Sequence, residues 1–257
     1  MSISTPLTKL LGISHPILLA PMDLVADAKL TAAVSAAGGF GILGGGYGDE
    51  RWLAGELDAL GRSGARYGVG FITWSMAKQP KLLDLVLERK PAAIMLSFGD
   101  PKPFADRIKR SGARLICQIQ SVALAKEAVA CGADVLVAQG TEGGGHGASR
   151  GVVSLVPEVV DAVGTKVPVV AAGGIADGRG LAAALMLGAS GVLLGTRFYA
   201  TEEAARYAAA RNEGDFDIAA VIAGESSGLV REITSAREVV ERTVREASAL
   251  LASGSRR

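Results

Sequence analysis

Short, continuously apolar runs alternate along the chain with segments in which apolar positions recur every three or four residues. The apolar runs are Ile17–Ala20, Phe40–Leu43, Tyr67–Ile72, Ala93–Leu96, Leu115–Gln118, Val135–Gln139, Val169–Ala172 and Gly191–Gly195. Between them, helical periodicity falls near 29–37, 51–62, 76–89, 103–111, 121–131, 154–163 and 178–187. Strands that are apolar at every position, rather than at every second one, belong to a parallel sheet covered on both faces. Eight strand–helix units of roughly 25 residues predict a (β/α)8 TIM barrel, an α/β fold. A doubly wound sheet is the alternative, because strand count alone does not close a barrel.

After the eighth run the pattern predicts a helical extension: a stretch near 202–212, a loop around Gly214–Ser227 and a last helix from about Ala236 to Ala252. Ser235 and Glu238 stand at capping-box spacing for that helix. Its Val239, Val240, Val244, Ala247, Leu250 and Leu251 form one apolar face to dock on the barrel. Ser253–Arg257 reads as a frayed tail. No linker or low-complexity block interrupts the pattern, so 1–257 reads as a single domain.

Charge narrows the function classes. There are 27 Lys+Arg against 26 Asp+Glu, a net charge of +1, which argues against a nucleic-acid footprint or a basic membrane-facing patch. Cys117 and Cys131 are too far apart for a CxxC motif, and a reducing cytoplasm is the expected location. The start of the chain lacks a basic n-region and a long apolar h-region, so no signal peptide is expected. Gly180–Thr196 is free of charge over 17 residues but carries Gly188, Gly191 and Gly195. A spanning helix needs about 20 apolar residues, so this segment reads as a helix end followed by a buried strand.

Glycine is the compositional outlier, at 34 of 257 residues. The glycines cluster at 38–48, 140–147, 173–174 and 188–195, where apolar runs end and where backbone can approach a ligand closely. In a barrel the active site lies at the C-terminal strand ends. The first strand ends in Ala20-Pro21-Met22, where proline stops the ladder and Met22 serves either as packing or as a soft face against a flat ring. The sixth ends in Gln139-Gly-Thr-Glu142-Gly-Gly144-Gly145-His146-Gly. Only two histidines exist. His15, ahead of the first strand, reads as structural, whereas His146 on a glycine loop suits proton abstraction at neutral pH. Glu142 either orients that loop or is solvated.

The seventh strand ends in Ala172-Gly173-Gly174 and the eighth in Gly195-Thr196-Arg197. Barrels often bind phosphate there, through backbone N–H groups and a short helix. Gly39-Phe-Gly41-Ile-Leu-Gly44 matches GxGxxG formally but contains the strand itself, so it is rejected as a dinucleotide fingerprint. HExxH, GxSxG and a Walker A lysine are absent, no metal site is expected, and Lys102, read in the loop after the fourth strand, is the only lysine near a strand end.

Taken together these pieces resemble the nitronate monooxygenase (2-nitropropane dioxygenase) family of FMN-dependent barrels. The matching segments are His15–Met22, Gly38–Leu43, Ser97–Pro101, Gln139–Gly147, Ala171–Ile175, Leu194–Phe198 and Gly224–Leu229. The resemblance implies FMN, with its phosphate on Gly173, Gly174, Gly195 and Thr196. Met22, Gln139 and Gly144 would lie near the ring or ribityl chain, with Ala20, Pro21, Gly70, Gln118 and Gly145 completing the cofactor site. His146 matches the family's catalytic histidine. The implied reaction is flavin-dependent oxidation of alkyl nitronates and nitroalkanes with O2 as reoxidant, His146 acting as base on neutral nitroalkanes. A homodimer is the assembly to test. Gly143 stands where the family usually has alanine, and Gly70 where it has an asparagine that contacts FMN, with Thr73 or Trp74 as the nearest substitutes. Relatives with the same barrel oxidise NAD(P)H and reduce enoyl thioesters or quinones, which is the alternative reading. A non-redox phosphate-binding isomerase or lyase, and a non-catalytic binding barrel, follow it.

Overall fold

A computed structural model describes residues 3–145, 147, 149–204, 209, 213–214 and 223–254. Eight parallel strands form one sheet in the order β1-β8-β7-β6-β5-β4-β3-β2. They are β1 (Ile17–Leu19), β2 (Gly41–Gly44), β3 (Tyr67–Ile72), β4 (Ala93–Ser97), β5 (Arg114–Ile119), β6 (Val135–Gln139), β7 (Val169–Ala172) and β8 (Gly191–Leu194). β1 pairs with β8 at Ile17↔Val192. The last seam closes where the Phe40 N–H donates to Ile17 O at 2.9 Å and the Leu19 N–H to Phe40 O at 3.0 Å. That seam decides for the TIM barrel and against the open doubly wound sheet.

The period of two explains why the strands read as unbroken apolar runs. Leu18, Ile42, Met95, Ile116, Val137, Val170 and Leu193 turn inward and fill the barrel. Leu19, Leu43, Ile94, Leu115, Leu136, Ala171 and Leu194 turn outward under the helices. Both faces are dry, so nothing alternates. One layer higher, the inward-facing positions become small or polar: Gly70, Ser97, Gln118 and Gln139. The apolar plug therefore ends in a floor that can hold a ligand.

The helices are α1 (Pro6–Leu11), α2 (Ala28–Ala36), α3 (Glu50–Ser63), α4 (Thr73–Met76), α5 (Lys81–Glu88), α6 (Lys102–Arg110), α7 (Val122–Ala130), α8 (Val152–Val163), α9 (Gly178–Met186), α10 (Thr196–Tyr199) and the C-terminal α11 (Ala236–Gly254). Several departures from the sequence expectation have local causes. The segment 76–89 is helical only from Lys81 to Glu88 (α5), Met76 being the last residue of the short α4, and Pro80 lacks the N–H that would carry one helix through. Lys102 begins α6 instead of sitting in the preceding loop. α1 was not foreseen: six residues are too few to show a period. Leu7 and Leu11 nevertheless join the interior cluster and close the N-terminal end of the barrel, and Thr5 Oγ1 donates to Ser190 O at 2.7 Å.

α11 extends two residues beyond the expected end and packs on α9 and α2. Only half of its capping box forms: the Glu238 N–H donates to Ser235 Oγ at 3.2 Å, while the Glu238 carboxylate pairs with Arg245 instead. Of the stretch expected near 202–212, a 3-10 turn at Glu202–Ala204 is described and most of the remainder lies outside the described residues. The end of the expected loop 214–227 is another 3-10 turn, Glu225–Leu229. No helix among the described residues is long and apolar enough to cross a membrane.

Candidate functional site

The C-terminal mouth of the barrel holds a cavity of about 320 Å3, within the range that encloses small-molecule ligands. Ala20, Pro21, Met22, Gly70, Gln118, Gln139, Gly144, Gly145, Gly173, Gly174, Gly195 and Thr196, drawn from six strand ends, all line it. His15 does not: it sits at the opposite end of the barrel, its ring under Gly38, and burial pushes its pKa down. Thr73 is buried and Trp74 is on the outer surface; neither lines the cavity. His146 lies outside the described residues.

At one end of the cavity the β7 turn carries Gly173 at φ +108° and Gly174 at φ +69°. A tight turn of this kind at a strand end exposes backbone to the cavity, an arrangement suited to an anion. Any other residue would be strained there, and a Cβ on Gly173 would stand 2.9 Å from the Gly143 nitrogen. At the end of the neighbouring strand β8, Thr196 opens α10. Its Oγ1 accepts the Gly224 N–H at 3.0 Å, so its own proton remains to donate.

The floor is a ribbon of side-chain hydrogen bonds. Ser97 Oγ donates to Gln118 Oε1 at 3.1 Å, and Gln118 Nε2 donates to Gln139 Oε1 at 2.5 Å. Gln120 Nε2 donates to the same Gln139 oxygen at 2.8 Å, and Gln139 Nε2 donates to Gly144 O at 3.1 Å. With Oε1 doubly engaged and Nε2 singly, Gln139 retains one N–H among the described residues. The ribbon spans three strand ends, fixes both amide orientations and tethers the glycine loop. Ser97 and Gln120 were not anticipated as parts of it: their polar side chains sit in strands and turns that sequence alone does not juxtapose.

Glu142 resolves as a clasp. Both carboxylate oxygens accept the Val152 N–H at 3.0 Å, at the first residue of α8, where a negative charge is favoured. Its carbonyl accepts the Glu225 N–H at 2.9 Å, and the Thr141 N–H donates to Arg150 O at 2.8 Å. The loop between β6 and α8 is thus tied to itself, to α8 and to the 3-10 turn at 225–229. Asp23, Leu24, Tyr47, Phe98, Gly224 and Ser226 also line the cavity; none of them has a site role in the sequence reading, although Phe98, Gly224 and Ser226 fall in its matching segments. Leu24 and Phe98 have φ of +58° and +60°, uncommon for bulky residues and typical of ligand-facing turns.

The glycine at position 70 has a steric reason. A Cβ there would fall 2.3 Å from Pro21 Cβ and 2.4 Å from its Cγ. Gly70→Asn is therefore expected to cost about 1–3 kcal/mol by overpacking, seen as a thermal midpoint several degrees lower. Adding Pro21→Ala should recover part of the loss. Additive penalties in the double variant would show that the two residues do not share that space.

A family model described as nitronate monooxygenase matches residues 4–62 and 72–213. A nitronate monooxygenase (npaC) of Metarhizium robertsii is 41% identical over 228 residues, covering 78% of this chain and 62% of the relative. A (3aS,4S,5R,7aS)-5-hydroxy-7a-methyl-1-oxo-octahydro-1H-indene-4-carboxyl-CoA dehydrogenase of Mycobacterium tuberculosis is 38% identical over 205 residues, covering 79% and 58%. The chain thus spans about three-fifths of the length of these curated relatives. Among solved structures, a FabK from Thermotoga maritima superposes with a TM-score of 0.86 at 28% identity, over 98% of each chain.

Proposed function

Because the chain belongs to the nitronate monooxygenase family, we propose that it is an FMN-dependent oxidoreductase that oxidises alkyl nitronates and nitroalkanes with O2. The observation that carries this reading is the convergence of all twelve expected cofactor residues on one cavity of ligand size. Its chemistry suits the group. The left-handed Gly173–Gly174 turn and the Thr196 hydroxyl fit a phosphate, with Gly195 leaving room beside them. The fixed amides of Gln118 and Gln139 fit the hydrogen-bonding edge of a ribityl chain or flavin ring, and the Met22 thioether fits its face. When bound, the flavin supplies the two-electron redox chemistry, and O2 reoxidises it.

The protein's part is to orient and to move a proton. His146, in the loop that Glu142 and Gln139 anchor at its start, is assigned as the base that takes the proton from the carbon bearing the nitro group. Ala20, Pro21, Gly70 and Gly145 form walls without polar demands of their own. The likeness to a carboxyl-CoA dehydrogenase favours a second reading, an NAD(P)H oxidoreductase acting on an enoyl thioester or a quinone.

The test is the visible absorption spectrum of the protein after incubation with FMN and desalting, followed by parallel assays. A retained flavin spectrum with O2 consumption on nitronate is expected. Oxidation of NADH with a thioester or quinone, and none of nitronate, would transfer the assignment to the second reading. A protein that retains no flavin would overturn both.

A further inference from the structure

A second cavity, of about 200 Å3, opens beside the first, lined by the ends of β4 and β5, the loop from β4 to α6, and α7. Its inner wall is apolar: Leu96, Cys117, Ile119 and Ala128 are each 2% exposed. Burial above all, with Cys131 and Asp134 adding to it, pushes the Cys117 thiol up to about 12. The thiol therefore stays protonated and packs as a small apolar group. Leu124, which is 44% exposed, carries the apolar wall out towards the surface. The exposed Asp100 and Glu127 mark the outer rim.

Two observations join this space to the first cavity. Phe98 and Gln118 line both. Gln120, which lines the second, donates to Gln139 Oε1 in the floor of the first. The hydrogen-bonded floor thus runs from one cavity to the other, with Phe98 at the divide, held at φ +60°. A flavin would take up most of the first cavity's 320 Å3, so the non-reacting part of a substrate needs room beside it.

We propose that the second cavity is the subsite for the substrate's hydrocarbon chain, and that the protein favours nitronates and nitroalkanes long enough to reach it past Phe98. This deepens the reading above and rests on it. The inner wall offers apolar contact alone, so each methylene that leaves water there gains about fourfold in affinity. The gain ends where the chain meets water and the two carboxylates at the rim.

The experiment follows kcat/KM of the flavin-loaded protein along the nitronates of nitroethane, nitrobutane, nitrohexane and nitrooctane. The value should rise by about fourfold for each methylene that enters the subsite and then level off. Ala128→Leu fills the inner end and should lower the nitrohexane-to-nitroethane ratio on the order of tenfold, the contribution of two buried methylenes. Leu124→Ser, at an exposed position with little bearing on folding, should lower it severalfold. A flat series in the wild type, or a ratio that neither variant changes, would overturn the proposal.

Alkanoates give a readout without turnover, because their planar carboxylates share the shape and charge of a nitronate but are not oxidised. Titrated calorimetrically into the loaded protein, hexanoate should bind at least tenfold more tightly than propanoate, and Ala128→Leu should remove most of that difference. Equal affinities in the wild type count against the subsite. A chain-length dependence of alkanoate binding that Ala128→Leu removes, in a protein that oxidises no nitronate, would instead count against the proposed reaction and leave the subsite standing.

Discussion

Replacing His146 by alanine is expected to lower kcat/KM for neutral nitroalkanes by roughly 10²–10⁴-fold, the usual share of a positioned base, while the flavin content stays as in the wild type. The two substrate forms separate the proton transfer from everything else. A neutral nitroalkane must lose the proton from its nitro-bearing carbon before oxidation, whereas an ionised nitronate has already lost it. Turnover of the nitronate should therefore fall much less. The pH profile gives an independent signature: the wild-type rate on the neutral substrate should rise as the imidazole loses its proton, and the variant should lack that limb. Full activity on both forms would remove the base assignment.

The second large effect concerns the phosphate of the proposed FMN. Gly195→Ala places a methyl group 3.4 Å from Ala20 Cβ and 3.5 Å from Met22 Sδ, ordinary contact distances at a wall of the cavity. The fold should tolerate it within about 0.5 kcal/mol, yet FMN affinity should drop at least tenfold, because the methyl group occupies space assigned to the ligand. Gly174→Ala should lose affinity too, but with a stability cost of about 1–2 kcal/mol, since an L side chain at φ +69° is strained and its Cβ lies 3.2 Å from Glu142 Cβ. Flavin-to-protein ratio after desalting and unfolding of the flavin-free proteins separate the two causes. The flavin-dependent gain in thermal midpoint, which follows free ligand over Kd, should shrink in both. Unchanged FMN content in both variants would mean that the phosphate sits elsewhere.

Much of the barrel was legible because its strands are dry on both faces. Tyr67–Ile72, Val135–Gln139 and Val169–Ala172 have the same limits in sequence and structure, and the other five strands differ by one residue at one or both ends. The misses share a physical form. α1 is too short to show a period, and its stability comes from Leu7 and Leu11 inside the barrel end. The helix expected from residue 76 starts only at Lys81, directly after Pro80. Glu142 stood between two meanings until the Val152 N–H decided for a clasp.

The chain's own pattern determined the eight-unit α/β architecture, the strand ends at which chemistry belongs, and the glycine loops that mark them. It did so because burial on two faces and left-handed turns leave direct signatures in residue type. Tertiary structure alone decided that the sheet closes through Ile17, Leu19 and Phe40, that Ser97, Gln118 and Gln139 form one hydrogen-bonded floor, and that Pro21 excludes a side chain at Gly70. It also decided that Phe98 and Gln118 line two neighbouring cavities at once. Each of these depends on residues far apart in sequence meeting at ångström distances, and no local periodicity records such a meeting.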